Sequence, residues 1–298
     1  MLGLKQDMRL ALDPVAFAEK AGLENLDPWQ KDLLRSTSRR VVINASRQSG
    51  KSSVAAVRAL HSALYLPESL ILILAPALRQ SLEAFGKILD AYRTLGRPVP
   101  PEAENKLSLK LDNGSRIVSL PGTEKTVRGF SGAALLIVDE AARVEDDLYH
   151  AVRPMLAVSG GALMMLSTPY GKRGAFFEEW TNGQGWERYE LPAPEVPRIS
   201  PRFLEEERRS LPERVFRQEY LCSFEETEDQ VFGFTVIERA FTAEYEPFDL
   251  GDDDEEPEGG EPTKERGELK RSNGLSAVES SSSAALSHPR GRSYWSLG

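Results

Sequence analysis

Apolar residues gather in four short runs, Val41 to Ala45, Leu70 to Ala75, Ala134 to Val138 and Ala162 to Leu166, separated by longer stretches of amphipathic pattern. Runs this short and this apolar predict strands buried on both faces, the arrangement of a parallel sheet covered by helices. Each run closes on polar or turn-forming residues: Ser46 to Gly50, Pro76, Asp139-Glu140, and Ser167 to Pro169. Ligands of open α/β sheets bind beyond the carboxyl ends of the strands, so these four clusters are predicted to converge on one site. Between the second and third runs, Lys106 to Leu120 alternates apolar and polar residues around Asp112-Asn113-Gly114-Ser115, which predicts a hairpin. Upstream, Leu26 to Leu34 has the pattern of an amphipathic helix started by Asp27 and Pro28.

The first junction carries the most chemistry. Ala45-Ser46-Arg47-Gln48-Ser49-Gly50-Lys51-Ser52 joins a predicted strand to a helix beginning near Lys51. Its ending supplies backbone N–H groups for phosphates, a mobile ammonium on Lys51 and a hydroxyl on Ser52 for Mg²⁺. The helix adds its N-terminal dipole to the same anion. Ala45 stands where a phosphate loop usually begins with glycine.

The other junctions extend this reading. Leu135 to Ala141 is an apolar strand ending in two adjacent carboxylates. Asp139 is expected to hold Mg²⁺ opposite Ser52, and Glu140 to orient and deprotonate the attacking water. The plainer reading is a pair of acids capping a helix that starts near Glu145; a strand before them and Gly50-Lys51-Ser52 upstream favour the catalytic one. Ser167-Thr168-Pro169 ends another strand with two hydroxyls that could sense a γ-phosphate, or it is simply a strand-ending turn. Arg47, within the loop, is placed to neutralise charge on the γ-phosphate, with a surface salt bridge as its alternative. Arg128 precedes the acid-bearing strand and could face nucleotide, DNA or solvent. Gln30 can recognise adenine through its amide while Trp29 packs beside it. No Asn-Lys-x-Asp guanine-reading sequence occurs, which favours ATP over GTP.

Composition changes this picture only at the margins. The chain has 298 residues, 40% hydrophobic and 28% charged, and no apolar run near the roughly 18 residues that span a bilayer. Met1 to Leu10 lacks the apolar core of a signal peptide, and the lone Cys222 forms no internal disulfide, so a cytoplasmic protein is expected. Of the net charge of −9, −4 falls on residues 1–247 (31 basic, 35 acidic) and −5 on the remainder. A body this balanced can carry a basic face toward DNA. After about Leu250 the chain is acidic and rich in Gly, Pro and Ser, a composition expected to stay disordered. An acidic solvating tail and a truncated or frame-shifted end are both open readings of it.

In this order, Pro28-Trp29-Gln30, Ser46 to Ser52, Val138-Asp139-Glu140-Ala141 and Ser167-Thr168-Pro169 resemble the ATPase region of phage terminase large subunits, the motors that package DNA. That family commonly lacks the first loop glycine and carries an arginine in the place of Arg47. Arg214 to Phe224, before Val231-Phe232-Gly233, resembles the segment leading out of the ATPase region, so the likeness covers about residues 25 to 235. It implies an α/β P-loop NTPase of RecA/ASCE-like type, with a mostly parallel sheet, helices on both faces and a small linker subdomain. The expected division is residues 1–38 N-terminal helical, 39–195 ATPase core, 196–247 linker and 248–298 tail.

The resemblance also implies ATP and Mg²⁺ as ligands, with Gln30 reading adenine and Ser46, Arg47, Gln48, Ser49, Gly50, Lys51 and Ser52 around the phosphates. Ser52 and Asp139 would hold the metal, Glu140 would be the catalytic carboxylate, and Ser167, Thr168 and Pro169 would couple hydrolysis to movement. Implied partners are double-stranded DNA, a portal protein, a small terminase subunit and further copies of the chain in a ring. The family continues into a nuclease; Asp252-Asp253-Asp254 has no strands around it and is assigned no such role. A helicase-like DNA-remodelling ATPase and an inactive nucleotide-binding remnant are the competing expectations.

Overall fold

All four apolar runs form strands, β1 (Arg40–Ala45), β2 (Leu70–Ala75), β6 (Ala133–Asp139) and β7 (Ala162–Ser167). With β3 (Pro101–Glu104), β4 (Ser108–Leu111), β5 (Arg116–Pro121) and β8 (Glu187–Leu191) they make one eight-stranded sheet in the order β3-β4-β5-β2-β6-β7-β1-β8. The computed structural model describes residues 4–122 and 129–226. Arg128, Val231-Phe232-Gly233, the tail beyond Leu250 and its Asp252-Asp253-Asp254 run lie outside the described residues. Strands β5, β2, β6, β7, β1 and β8 run parallel, and β3 and β4 are antiparallel additions at one edge.

The period of two along each central strand divides its side chains between two cores. Ile43, Ile71, Ile73, Leu135, Ile137, Met164 and Leu166 face one core. There they meet α1 (Leu4–Leu12), α2 (Pro14–Lys20), α3 (Pro28–Arg35), α4 (Lys51–Tyr65) and α5 (Leu78–Thr94) through residues such as Phe17, Leu33, Leu60 and Phe85. Val42, Leu72, Leu74, Leu136, Val138 and Met165 face the other, where α6 (Asp146–Val152) and α7 (Gly174–Thr181) supply Tyr149, Val152 and Phe176. Each such aliphatic side chain contributes about 1.5–3 kcal/mol by leaving water. Two-sided burial explains why the runs show no alternation in sequence.

The expected hairpin is β4–β5. Gly114 N–H donates to Leu111 O (2.9 Å) and Leu111 N–H to Ser115 O (2.9 Å), with Gly114 at φ 82°, a tight turn closed by a left-handed glycine. Asn113 Nδ2 donates to Ala63 O (2.9 Å), fixing that turn to the end of α4.

Beyond β8 the chain forms α8 (Pro201–Ser210), capped by the Ser200 hydroxyl accepting from Phe203 N–H (3.2 Å), and α9 (Glu213–Leu221). Cys222 ends α9 in the left-handed conformation, φ 58°. Its carbonyl accepts from Asn44 Nδ2 (2.9 Å) and its thiol donates to Leu191 O (3.2 Å), pinning α9 to the ends of β1 and β8. Burial pushes the thiol up to about 12. Because the folded value lies above that of the unfolded chain, this burial favours folding fully below the ordinary thiol pKa, and the contribution is lost as pH rises from there toward 12. At pH 8 the thiolate is therefore far scarcer than that of a free cysteine. Iodoacetamide is therefore expected to label Cys222 only in denaturant; rapid labelling of the native protein would show that α9 is not docked as described.

Candidate active site

The loop from β1 to α4 turns through two left-handed residues. Gln48 takes φ 63° and Gly50 φ 86°. The left-handed angle at Gly50 favours glycine, and a Cβ there would stand 2.8 Å from Gln30 Nε2, which would have to move. Lys51 opens α4 and is buried, with 7% exposure, its Nζ donating to Thr168 Oγ1 (3.3 Å) and lying 3.8 Å from Glu140 Oε1. The Ser46 and Ser49 hydroxyls are buried without a hydrogen-bond partner. Unpaired buried hydroxyls beside a helix N-terminus suit an anionic ligand that accepts hydrogen bonds.

The two carboxylates at the end of β6 diverge. Asp139 is buried and accepts from Ser52 Oγ (3.3 Å) and from Glu140 N–H (3.0 Å). Glu140 adopts φ 52°, which swings its side chain out of the strand direction toward Lys51. The Asp139 carboxyl is raised above its ordinary range, first by burial and then by the adjacent Glu140, while Lys51 and the Ser52 hydroxyl pull it back. A cation between Ser52 and Asp139 would relieve that desolvation, and two oxygen donors on adjoining elements suit Mg²⁺.

At the end of β7, Thr168 Oγ1 donates to Ala45 O (3.0 Å) while accepting from Lys51. Ser167 Oγ donates to Thr168 O (2.8 Å), and Pro169 is buried. Three of the four predicted strand-end clusters thus share one site: Lys51, Glu140 and Thr168 line a cleft of about 670 Å³ with Arg47, Arg79 and Arg143. Ser46 and Ser49 back the loop. The fourth cluster, at Pro76, contributes the start of α5 to this cleft through Ala77, Arg79 and Gln80.

Arg47 is placed otherwise than a loop arginine aimed at phosphate. Its side chain is 62% exposed and its guanidinium pairs with Glu219 of α9, whose backbone carbonyl also accepts from Arg47 N–H (3.3 Å). Arg47 and Gln48 stand between the first cleft and a second of about 570 Å³ lined by Arg198, Ile199, Phe203 and Tyr220. Gln30 is buried at the start of α3, its Oε1 accepting from Asp27 N–H (2.9 Å) and its Nε2 over Gly50. Trp29 packs against the core beside it. Glu219 and Arg198 carry no motif of their own and were not legible; the one hint was a helix cap, Asp27, that needs a cation once it is buried.

The family profile described as terminase large subunit, T4likevirus-type, N-terminal, matches residues 42–239, about two thirds of the chain. The chain belongs to that family. It is 29% identical over 235 residues to the terminase large subunit of Thermus virus P23-45, an alignment covering 66% of this chain and 48% of that protein. The terminase chain thus spans about half the length of the curated relatives it matches. Its fold superposes on the large terminase ATPase domain of Thermus phage P74-26 with a TM-score of 0.63 at 25% identity, covering 71% of this chain and 98% of that one. The large terminase of a thermophilic bacteriophage, in complex with ATP-gamma-S, superposes at 0.52 and 14% identity, over 70% of this chain and 52% of that one, a likeness of fold. The expected α/β architecture, a mostly parallel sheet with helices on both faces, is therefore that of large-terminase ATPase domains. Among the described residues no helix is long and apolar enough to cross a membrane.

Proposed function

We propose that the chain is the ATP-hydrolysing part of a phage or prophage DNA-packaging motor, turning over ATP with Mg²⁺ to drive double-stranded DNA into a procapsid. The observation that carries this reading is the meeting of Lys51, Glu140 and Thr168 in one cleft beside the Ser52–Asp139 pair. The complex of the thermophilic-phage terminase with ATP-gamma-S, a protein of the same fold, supports a nucleoside triphosphate as the ligand.

The loop N–H groups and Lys51 hold the triphosphate, and the amide of Gln30 faces the adenine side. Ser52 and Asp139 would hold Mg²⁺, which would supply positive charge to the phosphates. Glu140 accepts a proton from water as its oxygen attacks the γ-phosphorus and the bond to the bridging oxygen of ADP breaks. When phosphate leaves, Lys51 loses a partner on one side of Thr168, whose other bond is to Ala45 at the end of β1. That shared hydroxyl is how Ser167 to Pro169 can pass hydrolysis to β7 and onward. Arg47 reaches phosphate only by releasing Glu219, whose side chain is 13% exposed and keeps Arg143 Nη2 at 3.8 Å when Arg47 leaves. The exchange ties α9 to the nucleotide state.

The partners this reading implies are the portal protein, a small terminase subunit and neighbouring copies in a ring. Phosphate release from ATP and Mg²⁺ by the whole chain, with and without linear duplex DNA, tests the reading. Turnover that rises with duplex DNA is expected. Turnover driven only by strand separation of a forked duplex would favour a helicase instead.

A further inference from the structure

Arg198 joins three segments far apart in the chain. It sits in the turn between β8 and α8, where the chain leaves the sheet for the linker helices. Its Nη1 pairs with Asp27 Oδ2 at 2.9 Å, and its Nη2 donates to Ser49 O at 2.9 Å. Asp27 is buried at 7% exposure and its Oδ2 has no hydrogen-bond partner, so the Arg198 charge 2.9 Å away compensates it as an ion pair. The same Asp27 carries the N–H that holds Gln30 Oε1 (2.9 Å), and Gln30 Nε2 lies over Gly50, next in chain to Ser49.

The bond to Ser49 O matters because of the peptide it fixes. In a trans peptide the carbonyl and the following N–H point to opposite sides. Holding the Ser49 carbonyl toward Arg198 therefore holds the Gly50 N–H away from it. Gly50, at φ 86°, is the residue of the loop freest to rotate when unrestrained. The planar guanidinium can serve a carboxylate and a carbonyl at once, with one nitrogen on each; a lysine ammonium lacks that fork.

We infer that Arg198 is a positioning residue for ATP binding: it locks the Ser49–Gly50 peptide and, through Asp27, the Gln30 amide in their nucleotide-accepting arrangement. This rests on the reading of the loop as an ATP site. Arg198 also opens the linker segment, so a displacement of that segment would loosen the loop on its base side. Arg47 and Glu219 make the corresponding link on the phosphate side.

The test is ATP affinity of the whole chain by calorimetric titration with Mg²⁺, alongside kcat, KM and the melting curve, for wild type, Arg198→Ala, Arg198→Lys and Lys51→Ala. Arg198→Ala is expected to weaken ATP binding and raise KM by about ten- to a hundredfold, the scale of charge-assisted hydrogen bonds. In contrast, kcat at saturating ATP should stay within about threefold, because the groups at the γ-phosphate are untouched. Arg198→Lys should recover part of the affinity, and it carries the test if the alanine variant does not fold. ATP affinity equal to wild type in a folded variant, or a fall in kcat at unchanged KM, would overturn the inference alone. Failure of wild type itself to bind ATP, or equal binding by Lys51→Ala, would overturn the ATP site and this inference with it.

Discussion

Lys51→Ala is expected to lower kcat for ATP hydrolysis by about 10²–10³-fold, the usual effect of removing one preorganised charge-stabilising donor. It is also expected to weaken ATP binding. Lys51 is buried at the first position of α4, where its ammonium lies 3.8 Å from Glu140 and donates to Thr168. Bulk water screens it little there, so its charge would act strongly on the phosphates of the proposed ATP. The loss has a second part. Lys51 is one of the groups that restrain the upward shift of the Asp139 carboxyl, so removing it makes Asp139 harder to ionise and the metal harder to hold. The deficit should therefore grow as pH falls toward the carboxylate range, where wild type loses less. Calorimetric titration and phosphate release between pH 5.5 and about 8 check both parts; a variant within a few fold of wild type throughout would remove Lys51 from the site.

Glu140→Gln should behave differently. Glutamine keeps the shape of Glu140 but cannot take a proton, so turnover is expected to fall by about 10²–10⁴-fold, the range of general-base catalysis. Binding should survive. Glu140 is the second cause, after burial, of the raised Asp139 carboxyl, so neutralising it makes Asp139 easier to ionise and favours the metal. ATP affinity equal to or tighter than wild type, with turnover nearly abolished, separates a catalytic base from a residue that only shapes the cleft. Weakened binding in proportion to the lost turnover would assign Glu140 a binding role instead.

The parts of this site legible in the sequence are those that local physics dictates. Strands β1, β2, β6 and β7 are covered on both faces and so appear as unbroken apolar runs, and their polar ends mark the cleft. Gly50 and Gly114 are legible because a left-handed backbone favours few residue types. Strand β8, Glu187 to Leu191, was not legible: it lies at the sheet edge and carries no apolar run. Strand β3, Pro101 to Glu104, is largely exposed and carries no apolar signal. The pairing of Arg47 with Glu219 and of Arg198 with Asp27 was beyond reach for another reason. Any carboxylate suits a guanidinium, and only the return to the loop of α9 and of the turn before α8 selects these partners. The reading of Arg47 on phosphate named a group with two destinations, of which the structure holds the one on α9.

The central claim is that ATP is hydrolysed at the joined ends of β1, β6 and β7. Phosphate release from ATP and Mg²⁺ by the whole chain, wild type and Glu140→Gln side by side at saturating ATP with linear duplex DNA, tests it most directly. Sustained release by wild type and near-absence of release by a variant that still binds ATP is the predicted result. Equal release by both, or none by a folded wild type that binds ATP under these conditions, would contradict it.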